Sequence, residues 1–249
     1  MIARTLIVPA AGSGTRLGAS VPKLLVPVAG VPMIDRVLDL HAPHVSHAVV
    51  VVNPAAEPAV RQHLRRRKRV SLAVQPQPTG MLDAIAIGAA TEAAAEAENV
   101  WITWCDQVAV HAATISMLTI LADHQSAASV ILPTVRLTGP YIHFVRDRAD
   151  RIVGVLQRRE GDEMPAEGEG DVGLFSLSHD AATRMLPEYA AAGTRGSATG
   201  ERNFLPFIPW AAVRGTVLTF PSFHPMDAQG VNTPDDLRRV EDYFASQIG

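Results

Sequence analysis

Near its start this chain carries an apolar run that stops abruptly in glycines. Residues 5–9 read Thr-Leu-Ile-Val-Pro and pass straight into Ala10, Ala11, Gly12, Ser13, Gly14, Thr15, Arg16, Leu17 and Gly18. A short, uniformly apolar segment with that punctuation is a strand buried on both faces, as in a parallel sheet covered by helices on each side. The following residues agree. Met33, Ile34, Val37, Leu38 and Leu40 recur at helical spacing after Pro32. Residues 48–52, 70–74 and 100–104 read as buried strands, 57–67 as a helix, and 83–97 as an Ala-rich helix with only Gly88 as a breaker. Strands alternating with helices predict an α/β fold with a doubly wound, mostly parallel sheet.

Beyond about residue 130 the pattern changes. Residues 130–135, 141–145, 152–156 and 172–176 read as strands with few helices between them, which predicts an added lobe of mixed strands. Residues 180–192 and 234–247 read as helices, the second opened by Thr233 as N-cap with Pro234 at its first position. The Gly- and Glu-rich stretch 160–170 is expected to be a mobile surface loop. With 249 residues, 47% of them hydrophobic, and with Gly and Pro spread throughout, the chain is neither disordered nor a coiled coil. A net charge of −3 leaves no basic footprint for nucleic acid. A single cysteine, Cys105, fits a reducing compartment, and no apolar run has the length of a membrane span or the form of a secretory leader. The expectation is a cytoplasmic protein with no nucleic-acid or membrane partner; the sequence does not give its oligomeric state.

The first βα turn of such a sheet is a favoured place for phosphate. Gly12, Gly14 and Gly18 let successive backbone N–H groups turn towards phosphate oxygens, and Arg16 and Lys23 add charge within reach. The turn is not a Walker A loop, since no Gly-Lys-Ser/Thr follows. It also departs from the dinucleotide fingerprint: Leu17 stands where the third glycine belongs, and Asn53 where an acidic residue should end the second strand. Of 22 basic residues only Lys23 and Lys68 are lysine. Lys68 belongs to the solvated run Arg65-Arg66-Arg67-Lys68-Arg69, whereas Lys23 marks a site where a compact ammonium differs chemically from a guanidinium fork.

Residues 10–18, followed by Pro22-Lys23-Leu24-Leu25-Val26-Pro27-Val28-Ala29-Gly30-Val31-Pro32-Met33, closely resemble the signature of the sugar-phosphate nucleotidyltransferases, the pyrophosphorylases that make nucleotide sugars, and in particular their uridylyltransferase members. The resemblance implies a Rossmann-like nucleotidyltransferase fold in one domain, 1–249: a nucleotide-binding half (1–130), an acceptor-binding half (131–228), and a metal-site turn with the C-terminal helix (229–249). No counterpart of the hexapeptide-repeat acetyltransferase domain of bifunctional members is expected. The resemblance assigns the triphosphate to Ala10, Ala11, Gly12, Ser13, Gly14 and Thr15, and catalytic roles to Arg16 and Lys23. It also assigns the edge of the nucleobase to Gln75 and Gly80. Asp106, at the end of a strand, and Asn232, in Gly230-Val231-Asn232-Thr233, resemble the family's Mg²⁺ ligands; Asp227 has only proximity in its favour. On the acceptor side the resemblance is patchier. Tyr141, His143, Arg158, Asp171 and Glu201 stand at positions where the family contacts its sugar phosphate, with different polar groups.

The implied reaction is attack of a sugar phosphate on the α-phosphate of a nucleoside triphosphate, UTP or dTTP favoured, with loss of pyrophosphate. Two neighbouring readings stay open: a cytidylyltransferase with a non-hexose phosphate acceptor, and a nucleotide-sugar-binding regulator of the same fold without turnover. The cytidylyltransferases of isoprenoid synthesis share the loop and Pro-Lys, but their late His-Asp-Ala-Ala-Arg run is missing. Molybdenum-cofactor guanylyltransferases are also similar but lack the proline before the lysine. Cys105 reads as a small buried strand residue. His41, His44 and His47 read as surface or loop histidines, since Pro43 interrupts any helix that would align them.

Overall fold

The computed structural model describes residues 2–12, 14–193 and 195–247, with Thr15 described for its backbone alone. The first strand, β1 (Arg4–Ala10), is buried along its whole length. A small ribbon of β2 (Pro27–Val28) and β3 (Val31–Pro32) leads into α1 (Met33–His41). Then follow β4 (His47–Val52), α2 (Glu57–Leu64), β5 (Val70–Val74), α3 (Met81–Ala89), α4 (Glu92–Ala95) and β6 (Asn99–Thr103). β4 and β6 flank β1, and β5 lies outside β4, all of them parallel; Ile7 stands opposite both Val49 and Ile102.

The second part continues the same sheet. It consists of α5 (Ala112–His124), β7 (Ala128–Thr138), β8 (Ile142–Arg146), β9 (Ile152–Gln157), β10 (Glu167–Asp171), β11 (Leu174–Ser178), α6 (Leu186–Ala191), α7 (Phe207–Ala212), β12 (Thr216–Pro221) and α8 (Pro234–Ser246). β11 inserts antiparallel between β6 and β7, β10 runs antiparallel to the later half of β7, and β12 lies parallel to β7. The eight-stranded sheet is mixed and mostly parallel, as the Rossmann-like expectation requires, and β8 and β9 form a separate ribbon.

Alternation along the central strands feeds two cores. Leu6, Val8, Val50 and Val52 pack on one face with α1, α2, α5 and α8; Ile7, Val49 and Val51 pack on the other with α3, α6 and α7. Both faces are covered, so these strands read as continuous apolar runs. Gly88 serves this packing: a Cβ there would lie 2.6 Å from Ile7 Cγ2, so α3 approaches the sheet only without a side chain.

Several expectations are corrected. The helix over 83–97 breaks into α3 and α4 because Thr91 is extended and its hydroxyl bonds the Gly88 carbonyl at 2.7 Å. The helix over 180–192 begins as a π-helical turn, Ala181–Met185, next to Pro187, which has no N–H for an α-helical bond. Residues 160–170 are not a loose loop: Glu160 is buried and Glu167–Asp171 is a strand. Its glycines admit the ribbon that crosses it, since a Cβ on Gly168 would sit 2.7 Å from His143 Nδ1 and one on Gly170 3.0 Å from the Ile142 carbonyl oxygen. The strand expected over 172–176 starts at Leu174, after a kink at Gly173 (φ 71°).

His41 is no surface residue. It is fully buried, its Nδ1 is 2.8 Å from the Val37 carbonyl, its ring stands edge-on to Trp101, and burial holds its pKa down to about 4. His44 stacks with the same indole, ring centroids 6.3 Å apart. α5, α7 and β12 have no counterpart among the expectations. α5 has no capping side chain of its own; the buried carboxylate of Asp227 accepts from His111 N (2.7 Å) and Thr114 Oγ1 (2.5 Å). The expected cap on the last helix is present: Thr233 and Asp236 form a reciprocal capping box. Among the described residues no helix is long and apolar enough to cross a membrane.

Candidate active site

The carboxyl ends of β1 and β6 face the turn that leads into α8. Ala10 and Ala11 are buried where β1 ends, and a Cβ on Gly12 would meet nothing within 4 Å, so the backbone there is open to a ligand. Ser13 lies outside the described residues. Gly14 is left-handed (φ 62°), and the space its Cβ would take is filled by Lys23, 2.7 Å away. After Gly14 a 3-10 turn, Thr15–Leu17, exposes Arg16 and buries Leu17 in the core. Lys23 opens a second 3-10 turn, Lys23–Leu25, behind the extended Pro22 and is anchored by the buried Leu24. Asn53 explains why no acidic residue stands at the end of β4. Its amide donates to the Ala11 carbonyl (3.1 Å) and its Oδ1 accepts from Ala56 N (2.8 Å), so it braces the loop in a way a carboxylate cannot. Nothing short-range in the sequence distinguishes it from a turn asparagine.

Four predicted residues converge. Lys23 Nζ donates to Asp106 Oδ2 at 2.5 Å and to Asn232 Oδ1 at 2.9 Å; an Arg16 guanidinium nitrogen donates to the same Asn232 oxygen at 3.0 Å. The α8 turn closes on β6 through Val231 N, 3.2 Å from the Asp106 carbonyl. Gly230 makes room, since a Cβ there would be 3.2 Å from Asn232 Nδ2 and 3.4 Å from Asp106 Cγ. Asp236 holds Asn232 N as well as Thr233 N, which ties the asparagine to the first turn of α8. The cluster carries two cations and one carboxylate, a balance suited to a polyanion. Cys105 beside it is inert: burial pushes its thiol up to about 12, with the Asp106 charge adding to the effect.

Asp106 and Asn232 present two oxygens to one point, and no group of three or more His, Cys, Asp or Glu residues is arranged for a metal among the described residues. A carboxylate and an amide oxygen suit a hard divalent cation whose other ligands are phosphate oxygens and water. Asp227 does not join them, because both its oxygens are engaged at the start of α5.

Gln75 is buried at the end of β5, and its Nε2 donates to Thr79 Oγ1 (3.2 Å) and the Gly80 carbonyl (3.0 Å), so it shapes its own loop. Gly80 is left-handed (φ 125°), and a Cβ there would collide with the backbone of Arg202. Of the residues expected on the acceptor side, Tyr141 is half exposed. His143 Nδ1 accepts from Glu169 N at 3.1 Å, Arg158 donates to the Pro140 carbonyl at 3.1 Å, and Glu201 pairs with Arg159 at 2.7 Å. Asp171 accepts from Gly173 N at 2.7 Å; burial raises its carboxyl to about 6, against bonds from Gly173 and the Trp104 side chain that pull it down. None of the five bonds Lys23, Asp106 or Asn232 among the described residues. Asp171 is linked by a hydrogen bond to the side chain of Trp104, two residues before Asp106.

Comparison with known proteins places this geometry. The chain is 26% identical over 243 residues to the bifunctional protein GlmU of Pseudomonas savastanoi pv. phaseolicola, covering 96% of this chain and 51% of that protein. It is 27% identical over 248 residues to the bifunctional protein GlmU of Pseudomonas putida strain GB-1, and 26% identical over 245 residues to that of Azotobacter vinelandii, in each case covering 98% of this chain and 52% of the relative. The chain thus spans about half the length of the curated relatives it matches. A family model, the MobA-like NTP transferase domain, matches residues 6–169, a stretch that holds the glycine loop, Arg16, Lys23, Gln75, Gly80 and Asp106. The strand β1, the glycine loop after it and the lysine that pairs with Asp106 therefore all lie inside the matched region, and the chain belongs to the MobA-like NTP transferase domain family.

Proposed function

We propose that this chain transfers a nucleoside monophosphate from a nucleoside triphosphate, UTP or dTTP favoured, to a sugar 1-phosphate and releases pyrophosphate. The observation that carries the reading is the convergence of Lys23, Arg16, Asp106 and Asn232 at the mouth of the glycine loop. Family membership supports nucleotidyl transfer, and the resemblance of the first 33 residues to sugar-phosphate enzymes supports the acceptor class.

In the reaction an acceptor phosphate oxygen forms a bond to the α-phosphorus. The bond from that phosphorus to the β-bridging oxygen breaks, and its electron pair leaves with pyrophosphate. Such chemistry depends on positioning two polyanions and neutralising their charge. The backbone of residues 10–15 holds the triphosphate. Lys23 bridges the reacting phosphates from its place beside Asp106, and Arg16 meets the charge that develops on the leaving pyrophosphate. Asp106 and Asn232 would hold Mg²⁺, which supplies electrophilic neutralisation at the α-phosphate when bound. Gln75 holds the loop that faces the base, and the acceptor half from Tyr141 to Glu201 receives the sugar phosphate.

The test is a panel of nucleoside triphosphates against sugar 1-phosphates, read by pyrophosphate release with and without Mg²⁺. Metal-dependent turnover with a uridine or thymidine nucleotide is expected. No turnover with any pair would sink the reading, and nucleotide-sugar binding without turnover or metal dependence would favour the regulatory one.

A further inference from the structure

The nucleobase loop is held from an unexpected direction. Arg202 N donates to the Thr79 carbonyl (2.8 Å), Leu82 N donates to the Arg202 carbonyl (2.9 Å), and the Arg202 backbone fills the space above Gly80. The Arg202 guanidinium bonds Asp83 Oδ1 at 2.5 Å and also the Ala190 carbonyl. Residue 202 thus clamps both ends of the turn that Gln75 closes from inside.

The segment that carries Arg202 is in turn folded around one carboxylate. Glu160 Oε2 accepts from Ala198 N (3.0 Å) and Thr199 N (3.1 Å); Oε1 accepts from Thr199 Oγ1 (2.6 Å) and Asn203 Nδ2 (2.8 Å). The Glu160 carbonyl accepts from Ser197 Oγ at 3.0 Å. Gly196 is open for this purpose, since a Cβ would come within 2.3 Å of Glu160 Oε2. No cation pairs with Glu160 among the described residues. Burial alone would raise its pKa, but the bonds from Thr199, Asn203 and Ala198 bring it down to about 2, as expected for a carboxylate satisfied by donors alone. A second, exposed tie joins the same two segments, Arg159 to Glu201.

We infer that Glu160 is a positioning residue for nucleotide recognition: from the acceptor half it holds residues 196–203 in the shape that lets Arg202 clamp the loop of Gln75 and Gly80. This rests on the nucleotidyl-transfer reading and deepens it. The base loop is set by a carboxylate 85 residues downstream of Gln75, so a change at the acceptor edge reaches base selection without touching the phosphate cluster.

The test is Glu160→Gln, which keeps the shape but presents an NH₂ group where one oxygen accepted two donors. UTP and inorganic tripolyphosphate, which has no base, are titrated calorimetrically into wild type and variant, and backbone hydrogen exchange is followed at Leu82 and Arg202. The expected result is about tenfold weaker UTP binding with unchanged tripolyphosphate binding. Exchange at Leu82 and Arg202 quickens while β1 stays protected. Equal weakening of both ligands marks a merely structural role and overturns the inference, as does unchanged UTP binding in the folded variant. If Glu160→Gln does not fold, Asn203→Ala removes a single donor and is read by the same criteria. A wild-type protein that binds UTP no better than tripolyphosphate overturns the nucleotide reading, and the inference with it. That outcome is seen before any substitution is made.

Discussion

The Lys23 ammonium sits 2.5 Å from Asp106 Oδ2, joining residues 83 positions apart at the mouth of the glycine loop. Both side chains are mostly buried. Removing one partner of such a pair leaves the other charge poorly solvated, so each holds the other in place.

Lys23→Ala should therefore lower kcat for nucleotidyl transfer by about 100- to 1,000-fold, the usual size for losing one preorganised stabiliser of developing charge. Lys23→Arg should not restore it, because a planar fork cannot take the single point between Asp106 Oδ2 and Asn232 Oδ1. Steady-state kinetics on the folded variants checks both; wild-type turnover by Lys23→Ala would remove the lysine from the mechanism.

Metal binding gives an independent readout. The Lys23 ammonium lies where the Asp106 and Asn232 oxygens meet. Mn²⁺ followed by electron paramagnetic resonance should bind weakly to wild type alone, more tightly to Lys23→Ala, and not at all to Asp106→Ala. Equal binding by all three proteins would take the metal away from these residues.

Asp227→Ala should leave metal affinity unchanged but cost about 1–3 kcal/mol of stability, because two donors at the start of α5 lose their buried acceptor. Urea unfolding supplies the stability and Mn²⁺ titration the affinity. A drop in affinity with unchanged stability would return Asp227 to the metal site.

Asp171 has its pKa raised by burial to about 6, above the ordinary value of 3.8, so the folded state favours its protonated form. Its contribution is fully present below about pH 3.8 and is lost as pH rises through about 6. Relative to Asp171→Asn, wild type should therefore lose stability between those two pH values and run parallel above and below them. Denaturant unfolding across that range decides it; a constant difference would mean that the carboxyl titrates normally.

Much of the site is visible before folding because its parts are local. The strand over 5–9 and its loop are recognisable from a run of neighbours, Lys23 from its rarity and its proline, and the Thr233 cap from the adjacent pair Thr233-Pro234. The strand at Glu167–Asp171 escapes such reading because its glycines are there for a ribbon crossing above it, and Gly-rich sequence otherwise signals a loop. α5 escapes because its capping acceptor comes from Asp227, far downstream.

The α/β alternation, the glycine loop after β1 and the charged residues beside it are legible in the chain, since periodicity and turn chemistry act over a few residues. Folding brings Asn232, more than two hundred residues from Lys23, to share its ammonium with Asp106, buries His41 against Trp101 and gathers Ala198, Thr199 and Asn203 around Glu160. Those relationships depend on which sheet ends and loops face each other. That is set by the packing of two whole cores against one sheet and by no local pattern.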